Sequence, residues 1–145
     1  MTTSHQTSTG VLDVAELNAL LSAWFAPWVQ DLNLRVVQCA PGEATLCLPF
    51  KASLSRIGGM VCGQALMAAA DTAMVMAIVT QLGAERPMTT VQLNTSFLKP
   101  LANQDARVTA RVVRAGKNLV FGEIDIVAAT DGKSVCRAST TYALL

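Results

Sequence analysis

At 145 residues the chain is long enough for one domain with a sizeable core and too short for two. With 52% hydrophobic and 14% charged residues it is excluded from being disordered over most of its length. A formal net charge of +1 leaves no basic excess for nucleic acid.

Low charge with high apolar content points to surface hidden from water, as in an oligomer. The first ten residues, MTTSHQTSTG, lack the apolar run of a signal peptide. Residues 1–10 read as a disordered tail ahead of one domain over 11–145. The single histidine, His5, lies in that tail, which argues against catalysis by a core histidine. Cys39, Cys47, Cys62 and Cys136 form no CxxC pair and no metal-ligand spacing. They read as reduced thiols of a cytoplasmic protein, with no metal expected.

Residues 13–29, DVAELNALLSAWFAPWV, predict an amphipathic helix, with Asp13 and Glu16 in a capping arrangement and Pro27 near its end. Trp24, Phe25 and Trp28 have two readings, a ligand pocket or packing of the helix on the domain, and packing is favoured. Runs 32–39 and 43–50 predict two strands joined by a turn at Ala40-Pro41-Gly42, and Lys51 to Ile57 predicts a loop.

Gly58 to Gly83 predicts one long helix, apolar nearly all round, with Gly83 as its C-cap and a single acid, Asp71, in its middle. Its length would span a bilayer. Gln64, Asp71 and the many alanines argue against that, because a central Asp costs about 2.5–3.5 kcal/mol on insertion. Four strands are expected over 89–99, 105–115, 118–129 and 133–144, as an antiparallel meander. The fold expected is α+β: one long central helix wrapped by an antiparallel sheet of five or six strands, with a smaller helix in front.

Helical spacing puts Gln64, Met67, Ala68, Asp71, Val75 and Ile78 on one stripe. A carboxylate in an apolar helix is costly and needs a reason. It is either satisfied structurally, by Thr72 or a neighbouring strand, or it is a reacting group. Gly58, Gly59 and Gly63 mark the expected helix entrance, where backbone can approach a ligand and helix-start amides can hold a developing oxyanion. A carboxylate near such amides suits acyl transfer to water.

The segment CGQALMAAADTAMVMA resembles the HGGxxxxLxDTA motif of hotdog-fold thioesterases, and within them the phenylacetate-degradation type of acyl-CoA thioesterase. The resemblance continues through TTVQLNTSFLKPL, ARVVRAGKNLVFGEIDI and DGKSVCRASTTY and covers residues 40–144. It implies a homodimer built on one continuous sheet, often doubled to a tetramer, with the active site between subunits. It implies that Asp71 is the catalytic carboxylate and that the Gly63 N–H, from the other subunit, polarises the thioester carbonyl. Thr90, or Thr89 if a gap falls there, matches a hydroxyl that helps hold the water or the carboxylate.

Two departures from the motif concern binding residues. Cys62 stands where the family usually has histidine, with Gln64 in place of the second glycine; Arg56 stands where Asn or Gln is often found. Cys62 is read as a small buried replacement in preference to a nucleophile, since a reactive thiol needs an activating base or positive field. Arg56 is left three roles: orienting substrate, pairing with Asp71, or lying in solvent. Arg114, Lys117 and Asn118, around a turn, are the candidates for the coenzyme A phosphates, whereas Arg107 and Arg111 read as a solvated strand face.

The function expected is hydrolysis of a small or medium acyl-CoA, aromatic ones included, with Asp71 as general base or nucleophile. Coenzyme A belongs to the substrate and no separate cofactor is expected. A hotdog dehydratase is disfavoured by the lack of a core histidine. The alternative from another class is a non-catalytic acyl-CoA binding or sensing module.

Overall fold

The computed structural model describes residues 11–145; the expected tail and His5 lie outside the described residues. Helix α1 spans Val14–Trp24. Its capping box is complete: Asp13 accepts from the Glu16 N–H at 2.8 Å, and the Glu16 carboxylate accepts from the Asp13 N–H at 2.9 Å. The one helix expected over 13–29 is in fact two. Proline disfavours helical backbone in the residue before it. Ala26 is accordingly extended (ψ 148), and Pro27 opens a short helix α2 (Pro27–Gln30), where its missing N–H costs nothing. Asn18 ties α1 to the sheet edge, donating to the Val36 carbonyl (3.1 Å) and accepting from the Val36 N–H (2.8 Å).

Strands β1 (Arg35–Ala40) and β2 (Glu43–Leu48) form the expected hairpin, with Gly42 at φ 79 in its turn. The expected loop contains a 3-10 turn and leads into a small ribbon, β3 (Ser55–Arg56) and β4 (Met60–Val61). Gly58 and Gly59 form the ribbon's turn at φ 87 and 74. Left-handed residues cannot continue a right-handed helix. The central helix α3 therefore spans Gly63–Leu82 and does not begin at Gly58. Gly83, at φ 74, closes it as expected by donating to the Val79 carbonyl.

Strands β5 (Met88–Phe97), β6 (Ala106–Ala115), β7 (Leu119–Ala128) and β8 (Ser134–Leu144) complete one six-stranded antiparallel sheet in the order β1-β2-β6-β7-β8-β5. The meander holds for β6 to β8 only. β6 is already bonded by β2 on one side and β7 on the other, so β5 pairs with the outer side of β8 and becomes an edge strand.

The sheet wraps α3, which is buried on every face from Thr72 to Thr80. Although α3 is long and apolar enough to cross a membrane, 72% of its most apolar window is buried inside the protein. Small residues meet across the contact: Ala69, Ala70, Ala73 and Ala77 on the helix, and Ala44, Ala106, Ala110 and Gly122 on the sheet. A Cβ on Gly122 would lie 2.2 Å from the Met74 Cε and 2.9 Å from the Arg111 carbonyl oxygen. Met74 is fully buried, and the Arg111 carbonyl belongs to the backbone of the paired strand β6. Gly122→Ala is expected to destabilise the fold by about 1–3 kcal/mol in urea unfolding, as overpacking does. In a Met74→Ala background, the added cost of Gly122→Ala should shrink.

Candidate active site

Asp71 is half-buried near the middle of α3, and the strands beneath it hold one of its two carboxylate oxygens. Thr90 donates to Oδ1 at 2.9 Å, and the Tyr142 hydroxyl donates to the same oxygen. The Tyr142 oxygen also lies 3.0 Å from the Asp71 carbonyl oxygen. Thr72, the other structural partner considered, donates instead to the Ala68 carbonyl. Oδ2 has no hydrogen-bond partner among the described residues.

A backbone irregularity brings Thr90 to this place. Strict alternation along β5 groups Thr89 with Val91, Leu93, Thr95 and Phe97, leaving Thr90 on the opposite face. Val91 is an extra residue opposite the Tyr142–Thr141 step, so Thr90 pairs with Tyr142 and Leu93 with Thr140. The bulge turns both Thr90 and Leu93 toward the helix. Of the two threonines considered, Thr90 is the one on Asp71.

Tyr142 is the residue the sequence reading missed. It is the chain's single tyrosine, 2% exposed, on the inward register of β8 with Ala138 and Thr140. A buried phenol needs a polar partner, and that requirement was the available signal. Burial, and then the charge and hydrogen bond of Asp71, raise its pKa well above the ordinary tyrosine range.

Gly63 lies elsewhere. It is the first residue of α3, eight residues before Asp71, which at 1.5 Å per residue is about 12 Å along the axis. Among the described residues its N–H has no acceptor, and Cys62 at the N-cap makes no side-chain capping bond. Gly63 and Arg56 line one cleft of about 390 Å³ with Met60, Leu66, Phe97 and Leu98. A Cβ on Gly63 would meet the Phe97 ring at 3.2 Å, so a larger residue there needs the half-exposed ring to yield slightly. Arg56 therefore sits with Gly63 and not with Asp71.

Cys62 is half-buried against the core, as a small apolar replacement would be, and Gln64 is exposed. All four cysteines are free. Burial and Asp125 push the Cys136 thiol up to about 11, and burial raises Cys39 as well. Arg114, Lys117 and Asn118 are exposed around the β6–β7 turn. That turn abuts the end of β8 that carries Tyr142, since the Asn118 carbonyl accepts from the Leu144 N–H at 2.8 Å. Arg107 and Arg111 lie on the exposed sheet face, and Arg111 faces Glu123 at 3.7 Å.

A thioesterase superfamily model matches residues 58–135, which contain α3, Asp71 and Thr90. The chain belongs to the thioesterase superfamily. A Thermoplasma volcanium protein named "Putative esterase" is 30% identical over 77% of this chain and 84% of its own length. Among solved structures, the phenylacetic acid degradation protein PaaI of Thermus thermophilus is 26% identical, with a TM-score of 0.73 over 83% of this chain and all (100%) of that one. Zebrafish thioesterase superfamily member 2 has a TM-score of 0.81 at 22% identity, over 92% of this chain and 99% of that one. This thioesterase-superfamily chain thus has the hotdog fold, with six strands around the long helix.

The burial of Tyr142 beside Asp71 has a pH signature. An unfolded tyrosine ionises near about pH 10, while the folded phenol holds its proton to higher pH. The stabilisation this difference represents is complete below about pH 10 and is lost as pH rises beyond it. Urea midpoints at pH 8 and pH 11 should show a larger fall for the wild type than for Tyr142→Phe, which has no phenol to ionise. Equal falls would mean that the phenol is not buried against the Asp71 carboxylate.

Proposed function

We propose that this protein is an acyl-CoA thioesterase whose site is shared between two copies of the chain, Asp71 coming from one and the Gly63 N–H from the other. The observation that carries this reading is the held carboxylate: Oδ1 is occupied by two hydroxyls and Oδ2 is left for chemistry. The separation of about 12 Å between Asp71 and Gly63 supports a shared site, because one thioester carbonyl cannot touch both within a chain. Two chains in antiparallel apposition bring each Asp71 to the other's Gly63.

The surface around β5 supports such a pair. Among the described residues β5 is an unpaired edge of ten residues, and it carries Val91 and Phe97 at 60% and 52% exposure, with Leu98 beside it. A long apolar edge invites a further strand. Pairing of two β5 strands makes one continuous sheet, and a homodimer or a dimer of dimers is the assembly proposed.

In the reaction, the Gly63 amide donates to the thioester oxygen as negative charge develops there, assisted by the positive end of the α3 dipole. Asp71 either takes a proton from water as the water attacks the carbonyl, or attacks it directly to form a mixed anhydride that water then cleaves. On both routes the C–S bond breaks, coenzyme A leaves as thiol, and the acyl group leaves as carboxylate. Arg56 contributes at the Gly63 cleft. Arg114, Lys117 and Asn118 are proposed for the coenzyme A phosphates, for which exposed cations and an amide are suited.

Two substitutions test the pairing. Asp71→Asn keeps size and removes charge. Gly63→Pro removes the amide hydrogen at the first helical position, where the backbone accepts proline, and Cys62 before it is already extended (ψ 149). Asp71→Asn and Gly63→Pro should each lower thiol release by about 10²-fold or more. Because a Cβ at Gly63 presses on Phe97, Gly63→Ala, which keeps the N–H, is the steric control and should lose far less. Mixed dimers of the two inactive chains should recover about a quarter of wild-type activity, since half the dimers then hold one intact site. Acyl-CoA binding with no thiol release above the Asn variant would leave the binding-module alternative. Recovery absent from mixed dimers, or an active monomer, would overturn the shared site.

A further inference from the structure

A cleft of about 500 Å³ opens between the end of α1 and the start of β5, walled by Trp24, Phe25, Val75 and Met88, with Glu85, Arg86 and Pro87 along its rim. Its position follows from two periodicities. Val75 is one helical turn beyond Asp71 on the same face of α3. Met88 is two residues before Thr90 and so shares its inward face on β5, opposite Leu144 as Thr90 is opposite Tyr142. Asp71–Thr90 and Val75–Met88 are thus successive rungs of one helix–strand contact, about 6 Å apart. The cleft begins one rung from the carboxylate.

The neighbouring cavity on the other side of Phe25, about 470 Å³, mixes Leu21, Val29 and Leu34 with Asn18, Gln30 and Arg35, and it reaches Thr72 beside Asp71. The rung cleft is instead walled by two aromatic rings, a branched aliphatic chain and a thioether. Rings and sulfur pack favourably against an aromatic or branched hydrocarbon. The rim charges of Glu85 and Arg86 oppose each other and favour no net charge in the occupant. The size falls in the range of small-molecule sites.

We infer that the acyl group of the substrate lies in this cleft, and that Trp24, Phe25, Val75 and Met88 select an uncharged apolar group bulkier than acetyl. The inference rests on the proposed thioester hydrolysis and adds where specificity is set: by the N-terminal helix, on one rung of the Asp71 contact. Of the three aromatics near the end of α1, Trp24 and Phe25 are wall residues, whereas Trp28, 61% exposed, is not among them.

The test compares kcat/KM for acetyl-, hexanoyl-, benzoyl- and phenylacetyl-CoA in the wild type, Val75→Phe and Trp24→Ala. Val75→Phe fills the cleft, and Trp24→Ala removes a wall from a side chain already 38% exposed, so the second variant folds even if the first does not. Each is expected to lower kcat/KM for the bulky substrates by about tenfold or more while leaving acetyl-CoA within about threefold. A wild type that prefers acetyl-CoA, or variants that scale all four substrates alike, would overturn the assignment.

If the wild type releases thiol from none of the four, the hydrolysis reading fails, and the cleft is judged by binding alone. The chain has two tryptophans, so Trp28→Phe leaves Trp24 as the only indole. Saturable change of its fluorescence with phenylacetyl-CoA, lost in Val75→Phe, supports the site. No change, or a change that Val75→Phe leaves intact, overturns it.

Discussion

The fold is governed by the burial of α3 together with the one charge that it carries. An apolar helix buried on every face from Thr72 to Thr80 must be wrapped, and the sheet wraps it closely because alanine and glycine line both sides of the contact. A carboxylate in that setting must find donors, and the only groups beneath it are those of the strands. Thr90 and Tyr142 supply them from two adjacent strands. The same contact registers β5 on β8 and aims the helix across the sheet.

Irregularities occur in four of the sheet's pairings, and the one in β5 is the one that meets the carboxylate. The Val91 bulge spends one residue to turn Thr90 inward without losing the apolar register farther on. At its far end β5 brings Phe97 against Gly63, and at its start Met88 lines one cleft with Val75. One edge strand therefore touches the Gly63 cleft, the carboxylate and the proposed acyl cleft in turn. Among the described residues its outer edge is unpaired, so the proposed pairing of two chains would act on the same strand.

Much of this was legible in the residues. The capping box of Asp13 and Glu16, the Gly83 cap, the Pro41-Gly42 turn and the apolar run of α3 each follow from chemistry confined to a few neighbouring positions. The resemblance carried by CGQALMAAADTA placed Asp71 and Gly63 on one helix with the spacing observed. The start of that helix was misplaced because apolar character does not distinguish a glycine turn from a helical one. The placement of β5 was also missed, since the alternation of a strand says which faces are apolar and nothing about which neighbour is vacant.

The sequence by itself determined the local grammar: a buried helix with one acid, capped at Gly83, and strands with alternating faces. Only the tertiary structure decided what that acid meets. Tyr142 is 71 residues away along the chain from Asp71, and its hydrogen bond depends on strand order and on a one-residue bulge. Periodicity is set by each element's own geometry, whereas a pairing across elements depends on how the elements are stacked. That is why Asp71 could be singled out from sequence, while the hydroxyls that hold it could not both be found there.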